Sequence, residues 1–458
     1  MPTTVPGSAA RRHVPAADGG RARRHALAVA GLVLIAVGGA GLTLGGDLLQ
    51  RLPLSFAFYG LAALGFLLVF RAPSAAPRRA AIVLALALRL AFLPVAPSLS
   101  DDVYRYVWDG RVQAAGIDPY KYAPSNPRLD GVAYADRGRI NHPDTRTIYP
   151  PLAEVLFLAV GGLGGGLLAF RLVFGAFDLL AALALVTLVE RRRRPAVMVL
   201  YLLCPLTIVE TWGSIHLEVV AVALVVAAAA LLRRGRHDGA AGVALGLAAA
   251  VKLTPAALLI PALVGRRARP LPFLAAFLVA WLVPYVPYLL WGGATGSLFS
   301  GGDRQNVNSL LFFLLAKVLP YAAAAALCLL LAAALIVAAS RRLSGRDRTA
   351  AAFAWSATIL LLCMPAVHSW YWLTPLVLSL AAGLRLPVYL GLGWPAAEAA
   401  WVSWPQYRGW THLLSYGPAL TLLKQRRRPA VTVSRTADLV DGRGSATAAD
   451  GSDRATGV

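Results

Sequence analysis

The sequence predicts an all-α polytopic membrane protein. Of its 458 residues, 58% are hydrophobic and 14% are charged, whereas a soluble domain is about 25% charged. Apolar runs such as 26–46, 54–70 and 80–95 approach the roughly 20 residues that cross a hydrocarbon core of about 30 Å as a helix. The three cysteines lie inside apolar runs and form neither a disulfide framework nor a zinc spacing. Soluble and disulfide-stabilised classes are therefore excluded.

The basic residues predict which side of the membrane each segment faces. Lys and Arg number 44 against 22 Asp and Glu, a net charge of +22, but the chain lacks the solvated basic face that nucleic-acid binding requires. Clusters such as 11–24, 71–79, 191–194 and 233–236 belong on the cytoplasmic side by the positive-inside rule. The loop 96–150 contains seven Lys and Arg and seven Asp, so it faces outward. We predict a multi-pass protein of the cell membrane with both termini in the cytoplasm.

The chain divides into one large membrane domain and two polar ends. The first 25 residues contain five Arg, and the apolar run after them lacks a cleavage site, which indicates an uncleaved first span. The far C-terminal residues have no apolar periodicity and cannot bury enough surface to fold. We predict disordered cytoplasmic segments at 1–25 and 426–458. The transmembrane domain between them, 26–425, has about 12 to 13 crossings and a large extracytoplasmic loop at 96–150.

One apolar segment is too short for two full crossings. Residues 240–264 join two basic clusters and so begin and end on the same side, although two helices of about 20 residues each would not fit. A break at Thr254-Pro255 allows two short helices with Lys252 at their tip. The sequence predicts a re-entrant hairpin, which is tolerated when its tip is buried in protein or lines a wet cavity.

Ionisable residues within the spans need a specific reason, because each costs on the order of 2.5 to 3.5 kcal/mol on insertion scales. Arg171 and Asp178 share one helical face and are interpreted as a structural pair or as interfacial anchors. Arg89 is expected to extend its charge to an interface. A further group lies where the spans end on the outer side, and in a single bundle it would line a shared cavity. Its members are Glu210, Trp212, His216, Glu218, Lys252, His368, Trp370 and Tyr371.

The outer loop opens with two adjacent carboxylates, Asp101 and Asp102. Val103, Tyr106, Val107 and Gly110 have helical spacing, and acidic residues in a first turn suit the helix dipole. The pattern predicts a short amphipathic helix over 100–113 that lies along the membrane surface. This helix would hold the carboxylates at the rim of the outer cavity.

The loop motifs resemble a known family. Asp101-Asp-Val-Tyr-Arg-Tyr-Val-Trp-Asp-Gly110, Gly116-Ile-Asp-Pro-Tyr120 and Ile148-Tyr-Pro-Pro151 are similar to motifs of GT-C fold membrane glycosyltransferases, and within them of the family 87 mannosyltransferase-like enzymes. Weaker pieces follow in the expected order, namely 212–218, Val251-Lys-Leu-Thr-Pro255, Asn306-Val-Asn308 and His368-Ser-Trp-Tyr371. The resemblance covers roughly residues 80–425. One departure is Glu218, where the family often has Asp.

The resemblance implies a polyprenyl-phosphate sugar donor, a single inverting displacement and no nucleotide-sugar. A carboxylate assists such an attack by removing the proton of the sugar hydroxyl, and the family match points to Asp102 for this role, with Asp101 orienting it or sharing the acceptor. A phosphate leaves without protonation but needs positive charge. The donor-phosphate and sugar-binding candidates are Lys252, Arg105, His216, His368, Glu218, Glu210, Trp108, Tyr149, Trp370, Tyr371 and Asn308.

Within that set, Lys252 and Arg105 are the candidates for stabilising the phosphate, and the histidines could do the same or bind the sugar. Trp108, Trp370 and Tyr371 could offer apolar faces to a pyranose. No cofactor or metal site is assigned, although the adjacent carboxylates leave a divalent metal open.

The expected partners are the polyprenyl-phosphate sugar donor, a glycan or glycolipid acceptor and membrane lipids, with no nucleic acid. Mannose is the expected sugar, because it is the commonest donor in the resembled family. Two alternatives stay open: a glycan ligase or polymerase with a lipid-diphosphate donor, and a lipid or sugar transporter.

Overall fold

The protein's structure is a computed structural model that describes residues 17–46, 48, 50–97, 99–265, 267–292, 309–403 and 411–425. The predicted C-terminal tail 426–458, residues 1–16 of the predicted N-terminal segment, and Asn308 lie outside these residues. The first helix begins at Ala17, which is earlier than the boundary expected after residue 25.

The described elements are all helical, which confirms the predicted all-α class. Short 3-10 and π-helical turns extend or connect the α-helices. In chain order the α-helices are α1 (Ala17–Leu44), α2 (Leu52–Arg71), α3 (Arg78–Ala91), α4 (Asp102–Ala114), α5 (Pro151–Phe157), α6 (Leu167–Val186), α7 (Arg194–Leu203), α8 (Pro205–Thr207), α9 (Glu218–Arg234), α10 (Asp238–Val251), α11 (Leu259–Val264), α12 (Pro270–Leu282), α13 (Tyr285–Trp291), α14 (Leu310–Leu315), α15 (Tyr321–Arg342), α16 (Thr349–Cys363), α17 (Leu373–Ala382), α18 (Leu386–Ser403) and α19 (Thr411–Gln425).

Several helices are long and apolar enough to cross a membrane. Five pass this test among the described residues, or six if one bent pair of helices counts as a single span. That number supports a polytopic membrane protein but is smaller than the 12 to 13 crossings expected from sequence. Prolines and irregular turns divide much of the remaining apolar sequence into shorter helices, so the full number of crossings stays a prediction.

The segment predicted to form a re-entrant hairpin is broken at the expected residues. Helix α10 ends at Val251, Lys252 is extended, and a 3-10 turn over Thr254–Leu258 leads into α11. Asp238, the first residue of α10, accepts a hydrogen bond at 2.8 Å from the side chain of Arg269, which follows α11. The two ends of the segment therefore lie together, with Lys252 between its two helices, and its re-entrant path in the membrane stays a prediction.

Helix α4 begins near the predicted residue but is more deeply buried than an amphipathic surface helix. All residues from Val103 to Gly110 are buried, because the following loop covers the face that was expected to meet water. Gly110 allows this packing: a Cβ there would lie 2.1 Å from the backbone oxygen of Phe157 in α5. Burial within the protein thus exceeds the expectation, whereas the position of the helix along the membrane surface stays a prediction.

The charged residues inside the bundle pair between helices. Arg89 is almost fully buried and donates to Asp178 at 2.8 Å, whereas Arg171 donates to the backbone oxygens of Leu93 and Val95. Both residues of the proposed Arg171–Asp178 pair are structural, but they bind different partners. The interfacial position expected for Arg89 is wrong. Its guanidinium is buried and donates hydrogen bonds to the Asp178 carboxylate and to the backbone oxygen of Leu202.

Candidate active site

A strained turn at the end of a bent helix pair positions Glu210 and His216. Helix α7 and the segment Pro205–Gly213 meet at an angle of 49°, and the latter ends in a π-helical turn over Ile208–Gly213. π-Helical turns are rare in proteins overall, but those that occur are often found at functional sites. Ile215 has φ +58°, a conformation that costs a β-branched residue on the order of 1–3 kcal/mol and concentrates at functional sites.

His216 lies between two carboxylates. Its Nδ1 is 3.8 Å from Oδ2 of Asp102, and its Nε2 is 3.5 Å from Oε2 of Glu210. The ring is fully buried, and neither nitrogen has a hydrogen-bond partner among the described residues. Burial lowers the pKa of His216 to about 3, against the opposing effect of Asp102. The imidazole is therefore neutral at physiological pH.

Asp102 is held by hydrogen bonds and is partly exposed to solvent. Its backbone N–H donates to the hydroxyl of Ser100 at 3.2 Å, and Asn141 donates to its Oδ1 at 2.8 Å. Its side chain is 20% exposed, compared with 2% for Glu210. Asp101 precedes it at the start of α4 and is exposed. Of the two carboxyl groups beside His216, Asp102 is thus the one that is accessible to a substrate.

Lys252 brings a cation to the same group of residues. It forms a close ion pair with Glu218, the first residue of α9, and its Nζ lies 4.8 Å from the centre of the Tyr371 ring. The charge of Asp102 acts electrostatically on both Lys252 and His368. An ammonium group has three N–H donors, so the contact with Glu218 leaves capacity for a further anion.

A stack of three rings connects the two predicted histidines. Trp370 lies between His216 and His368, with ring centroids at 3.8 Å and 4.5 Å. His368 in turn contacts Glu398, Nδ1 to Oε1, at 2.7 Å. Both faces of Trp370 are therefore covered, so it is unsuited to the role of pyranose platform.

The two histidines differ in their electrostatic surroundings. Burial disfavours a charged His368, but the contact with the Glu398 carboxylate outweighs this effect, so the pKa of His368 is raised above its ordinary value. Within the ring stack, His216 beside Asp102 is therefore neutral, whereas the surroundings of His368 favour its protonated form.

The structure brings together most of the predicted site residues. These residues come from separate segments of the chain. The ring stack and the contacts of Tyr371 connect the surroundings of His216 with those of Lys252. The linked set comprises Asp102, Glu210, His216, Glu218, Lys252, His368, Trp370 and Tyr371.

Three of the predicted donor-binding residues are not part of this set. Arg105 is buried in α4 and pairs with Asp109 at 2.9 Å, so it is a structural cation rather than an available phosphate ligand. Trp108 is buried, and the guanidinium of Arg137 lies over its ring at 4.9 Å. The prediction that Trp108 offers an apolar face to a sugar is therefore wrong. Tyr149 packs against Tyr106 in the same core.

A second buried network holds α4 against its neighbours and was not predicted from sequence. Glu154 accepts from Thr147 at 2.6 Å and from Gln113 at 2.9 Å, and Gln113 accepts from Tyr288 of α13 at 2.8 Å. Burial raises the pKa of Asp109, one turn before Gln113, although Arg105 opposes this shift. The network connects α4, the outer loop, α5 and α13.

Two contacts of the site also escaped sequence reasoning. Glu398 was recognisable as an acidic residue in an apolar span, but nothing in the sequence indicated that it faces His368. Asn141 lies within the loop, and its contact with Asp102 spans 39 residues. Among the described residues, no group of three or more His, Cys, Asp or Glu side chains is arranged to hold a metal ion.

One of three comparisons with known proteins found a match. Residues 49–269 match a family model described as alpha-(1->6)-mannopyranosyltransferase, N-terminal domain, a segment that contains Asp102, Glu210, His216, Glu218 and Lys252. Searches of curated proteins and of solved structures found no match. The match and the apolar helices together support a membrane mannosyltransferase. Over residues 49–269 the chain is therefore similar to the alpha-(1->6)-mannopyranosyltransferase family, consistent with the GT-C family 87 resemblance.

Proposed function

We propose that this protein transfers a mannosyl group from a polyprenyl-phosphate donor to a glycan or glycolipid acceptor on the extracytoplasmic side of the cell membrane. The observation that carries the proposal is the position of Asp102, a partly exposed carboxylate at the start of α4, in one group with the cation Lys252. The activity of the matched alpha-(1->6)-mannopyranosyltransferase family favours an α-(1→6) linkage in the product.

The proposed reaction is a single displacement. The acceptor hydroxyl oxygen attacks the anomeric carbon while its proton passes to Asp102, and the bond from that carbon to the phosphate oxygen breaks. A carboxylate in this position contributes about 10²–10⁴-fold to the rate. The displacement inverts the anomeric carbon, so an α-linked product requires a β-linked donor.

The leaving phosphate needs a counter-charge rather than a proton. Lys252 supplies it in this proposal, since its ion pair with Glu218 leaves ammonium donors free. Charge stabilisation of this kind is usually the largest single contribution to catalysis of group transfer. His368, held by Glu398, is a second candidate for the same phosphate.

The test uses purified protein in detergent and a panel of polyprenyl-phosphate sugars and lipid-diphosphate glycans, with consumption and product followed by mass spectrometry. Turnover of the mannosyl phosphate alone supports the proposal, and turnover of a lipid-diphosphate glycan favours the ligase alternative. Movement of an intact lipid across vesicles without bond cleavage would indicate a transporter.

Variants of Asp102 separate catalysis from folding. Asp102→Asn and Asp102→Ala should insert normally but lose transfer by at least about 10²-fold. Asp130→Asn is the matched control, because Asp130 is an exposed loop carboxylate paired with Arg137, and it should transfer at the wild-type rate. Wild-type turnover in both Asp102 variants would refute the proposed role.

A further inference from the structure

Resting on the proposed function, we propose that His216 orients the base Asp102 by donating a hydrogen bond from Nδ1, and that Glu210 selects this tautomer by donating a hydrogen bond to Nε2. A neutral imidazole has one N–H and one acceptor nitrogen, so its tautomer decides which neighbour receives a hydrogen bond. Both residues are positioning residues, and neither gains nor loses a proton in the reaction. This role differs from the donor-binding role that the sequence indicated for them.

The first support is the position of the imidazole between two carboxyl groups. Nδ1 of His216 is 3.8 Å from Oδ2 of Asp102, and Nε2 is 3.5 Å from Oε2 of Glu210. Both separations are longer than a formed hydrogen bond, and neither nitrogen has another partner among the described residues. Catalytic hydrogen bonds are often long without substrate and shorten when substrate binds. Each ring nitrogen therefore faces one carboxyl group.

The second support is that the two carboxyl groups differ in protonation. Glu210 is 2% exposed and forms no ion pair with Lys or Arg among the described residues. Burial favours its neutral acid, and the charges of Glu218 and Glu398 act in the same direction. A neutral acid has an O–H to donate. Asp102 is 20% exposed and must be ionised to act as a base, so it can only accept.

These protonation states favour one tautomer of His216. The imidazole is neutral and therefore carries a single N–H. With the proton on Nε2, the lone pair of Nδ1 would face the negative charge of Asp102. With the proton on Nδ1, the ring donates to Asp102 and accepts from the O–H of Glu210. Only the second arrangement places a proton in both contacts without opposing a lone pair to a charge.

The third support is the construction that fixes the ring. The backbone N–H of His216 donates to the backbone oxygen of Glu210 at 2.9 Å, and Ile215, immediately before the histidine, has a positive φ. Trp370 stacks on the imidazole, with ring centroids 3.8 Å apart. A fold keeps such a backbone conformation only where its surroundings enforce it. These contacts restrict rotation of the ring and keep Nδ1 directed toward Asp102.

The inferred hydrogen bond completes the surroundings of the base. Asn141 donates to Oδ1 of Asp102 at 2.8 Å, and His216 would donate to Oδ2. One N–H on each oxygen holds the carboxylate in a single orientation and favours its charged form. Each oxygen keeps a further lone pair, which is available to the acceptor hydroxyl.

The direct test is nitrogen NMR spectroscopy of the purified protein with isotope-labelled histidine, in detergent and without substrate. The protonated and unprotonated nitrogens of a neutral imidazole have widely separated chemical shifts, so the spectrum identifies the tautomer. The signals of His216 are those that disappear in both His216→Asn and His216→Gln. We expect the Nδ1–H form in wild type and in Glu210→Gln, whose amide can still donate to Nε2. An Nε2–H form in wild type would overturn the proposal.

The kinetic test compares amides that replace one imidazole nitrogen each. The side-chain amide of Asn places an N–H near the position of Nδ1, and that of Gln places one near Nε2. We expect His216→Asn to keep most of the wild-type kcat for polyprenyl-phosphate mannose. His216→Gln should lose about 10- to 10²-fold in kcat, the effect of one hydrogen bond to a charged group, with donor KM changed less than about twofold. The same substitutions at the exposed His237 are the controls and should leave kcat unchanged.

Substitutions of Glu210 separate its O–H from its charge. Glu210→Gln should keep the wild-type kcat, because the amide also donates, whereas Glu210→Met, of similar size but without a donor, should lose about 10-fold. Equal losses in these two variants, with wild-type unfolding midpoints, would contradict the role of Glu210. If Glu210→Met fails to fold, the spectrum of wild type and the pair of His216 variants still decide the question.

Equal losses in folded His216→Asn and His216→Gln, an unchanged kcat in both, or a loss confined to donor KM would also refute the positioning role. Asp102→Asn distinguishes this proposal from the proposed function. If that variant keeps full activity, Asp102 is not the base and the proposed function fails, whatever the tautomer of His216. An inactive Asp102→Asn together with an Nε2–H form of His216 refutes only the positioning role.

Discussion

At the residue scale, Asp178 explains how one carboxylate is tolerated deep inside the bundle. It accepts hydrogen bonds from Arg89 at 2.8 Å, from Tyr201 at 2.7 Å and from Trp212 at 3.0 Å. These partners belong to α3, α7 and the π-helical turn that contains Glu210. The residue therefore connects three segments and supports the turn on which the candidate site is built.

Removal of this charge should destabilise the protein strongly. Asp178→Asn leaves the Arg89 guanidinium buried without a counter-charge, and breaking a buried pair costs about 3–5 kcal/mol. Thermal unfolding in detergent should therefore show a large fall in the midpoint. Glu190→Gln, at an exposed ion pair with Arg192, should leave the midpoint unchanged. Equal midpoints for Asp178→Asn and wild type would contradict the structural role.

The contact between His368 and Glu398 predicts a pH dependence of stability. Because the folded-state pKa of His368 is raised, its stabilising contribution is complete below the unfolded value of about 6.5 and is lost as the pH rises through the folded value. Between about pH 6 and pH 9 the unfolding midpoint of wild type should fall more than that of Glu398→Gln. His216, whose pKa is lowered to about 3, stays neutral in this range. If the unfolding midpoints of wild type and Glu398→Gln change in parallel with pH, the His368–Glu398 contact does not contribute to stability.

At the element scale, α4 matters because it carries Asp102 at its first turn. The helix is held by close backbone contact at Gly110 and Gly161, and by the buried network of Asp109, Gln113 and Glu154. Its position is therefore set by packing along its whole length rather than by the carboxylates at its start.

A single methyl group should displace this helix. In Gly110→Ala the new Cβ would lie 2.1 Å from the oxygen of Phe157, so the backbones of α4 and α5 must separate. We expect lower thermal stability and reduced transfer activity. Gly60→Ala is the matched control, since Gly60 is a helical glycine with no atom within 4 Å of the added Cβ, and Ala favours a helix by about 1 kcal/mol. A stable and fully active Gly110→Ala would disprove tight packing between α4 and α5.

At the scale of the whole molecule, the excess of Arg and Lys predicts the orientation in the membrane. The outer loop balances its charges, whereas the basic clusters lie on the opposite ends of the predicted spans. The hairpin closes on that same basic side, where Asp238 contacts Arg269. This orientation predicts that the candidate site lies on the extracytoplasmic side.

Cysteine labelling tests this orientation. The three native cysteines are buried, so reaction with a membrane-impermeant maleimide should be low in wild-type cells. Ser125→Cys, at an exposed position of the outer loop, should react in intact cells, whereas Ser344→Cys, exposed beside a basic cluster, should react only after permeabilisation. The reverse labelling pattern would invert the topology and move the site to the cytoplasm.

The sequence by itself determined the membrane class, the helical content, the hairpin at Lys252 and the candidate base at the start of the outer loop. These follow from local properties, namely apolar length, charge excess and a compact motif. Only the tertiary structure decided that Arg89 pairs with Asp178, that Arg105 and Trp108 are buried away from the site, and that His368 contacts Glu398. Periodicity reports one helix at a time, whereas the Arg89–Asp178 contact spans 89 residues and the His368–Glu398 contact spans 30. Such partners are selected by the packing of whole helices, because a buried charge is stable only beside the group that this packing supplies.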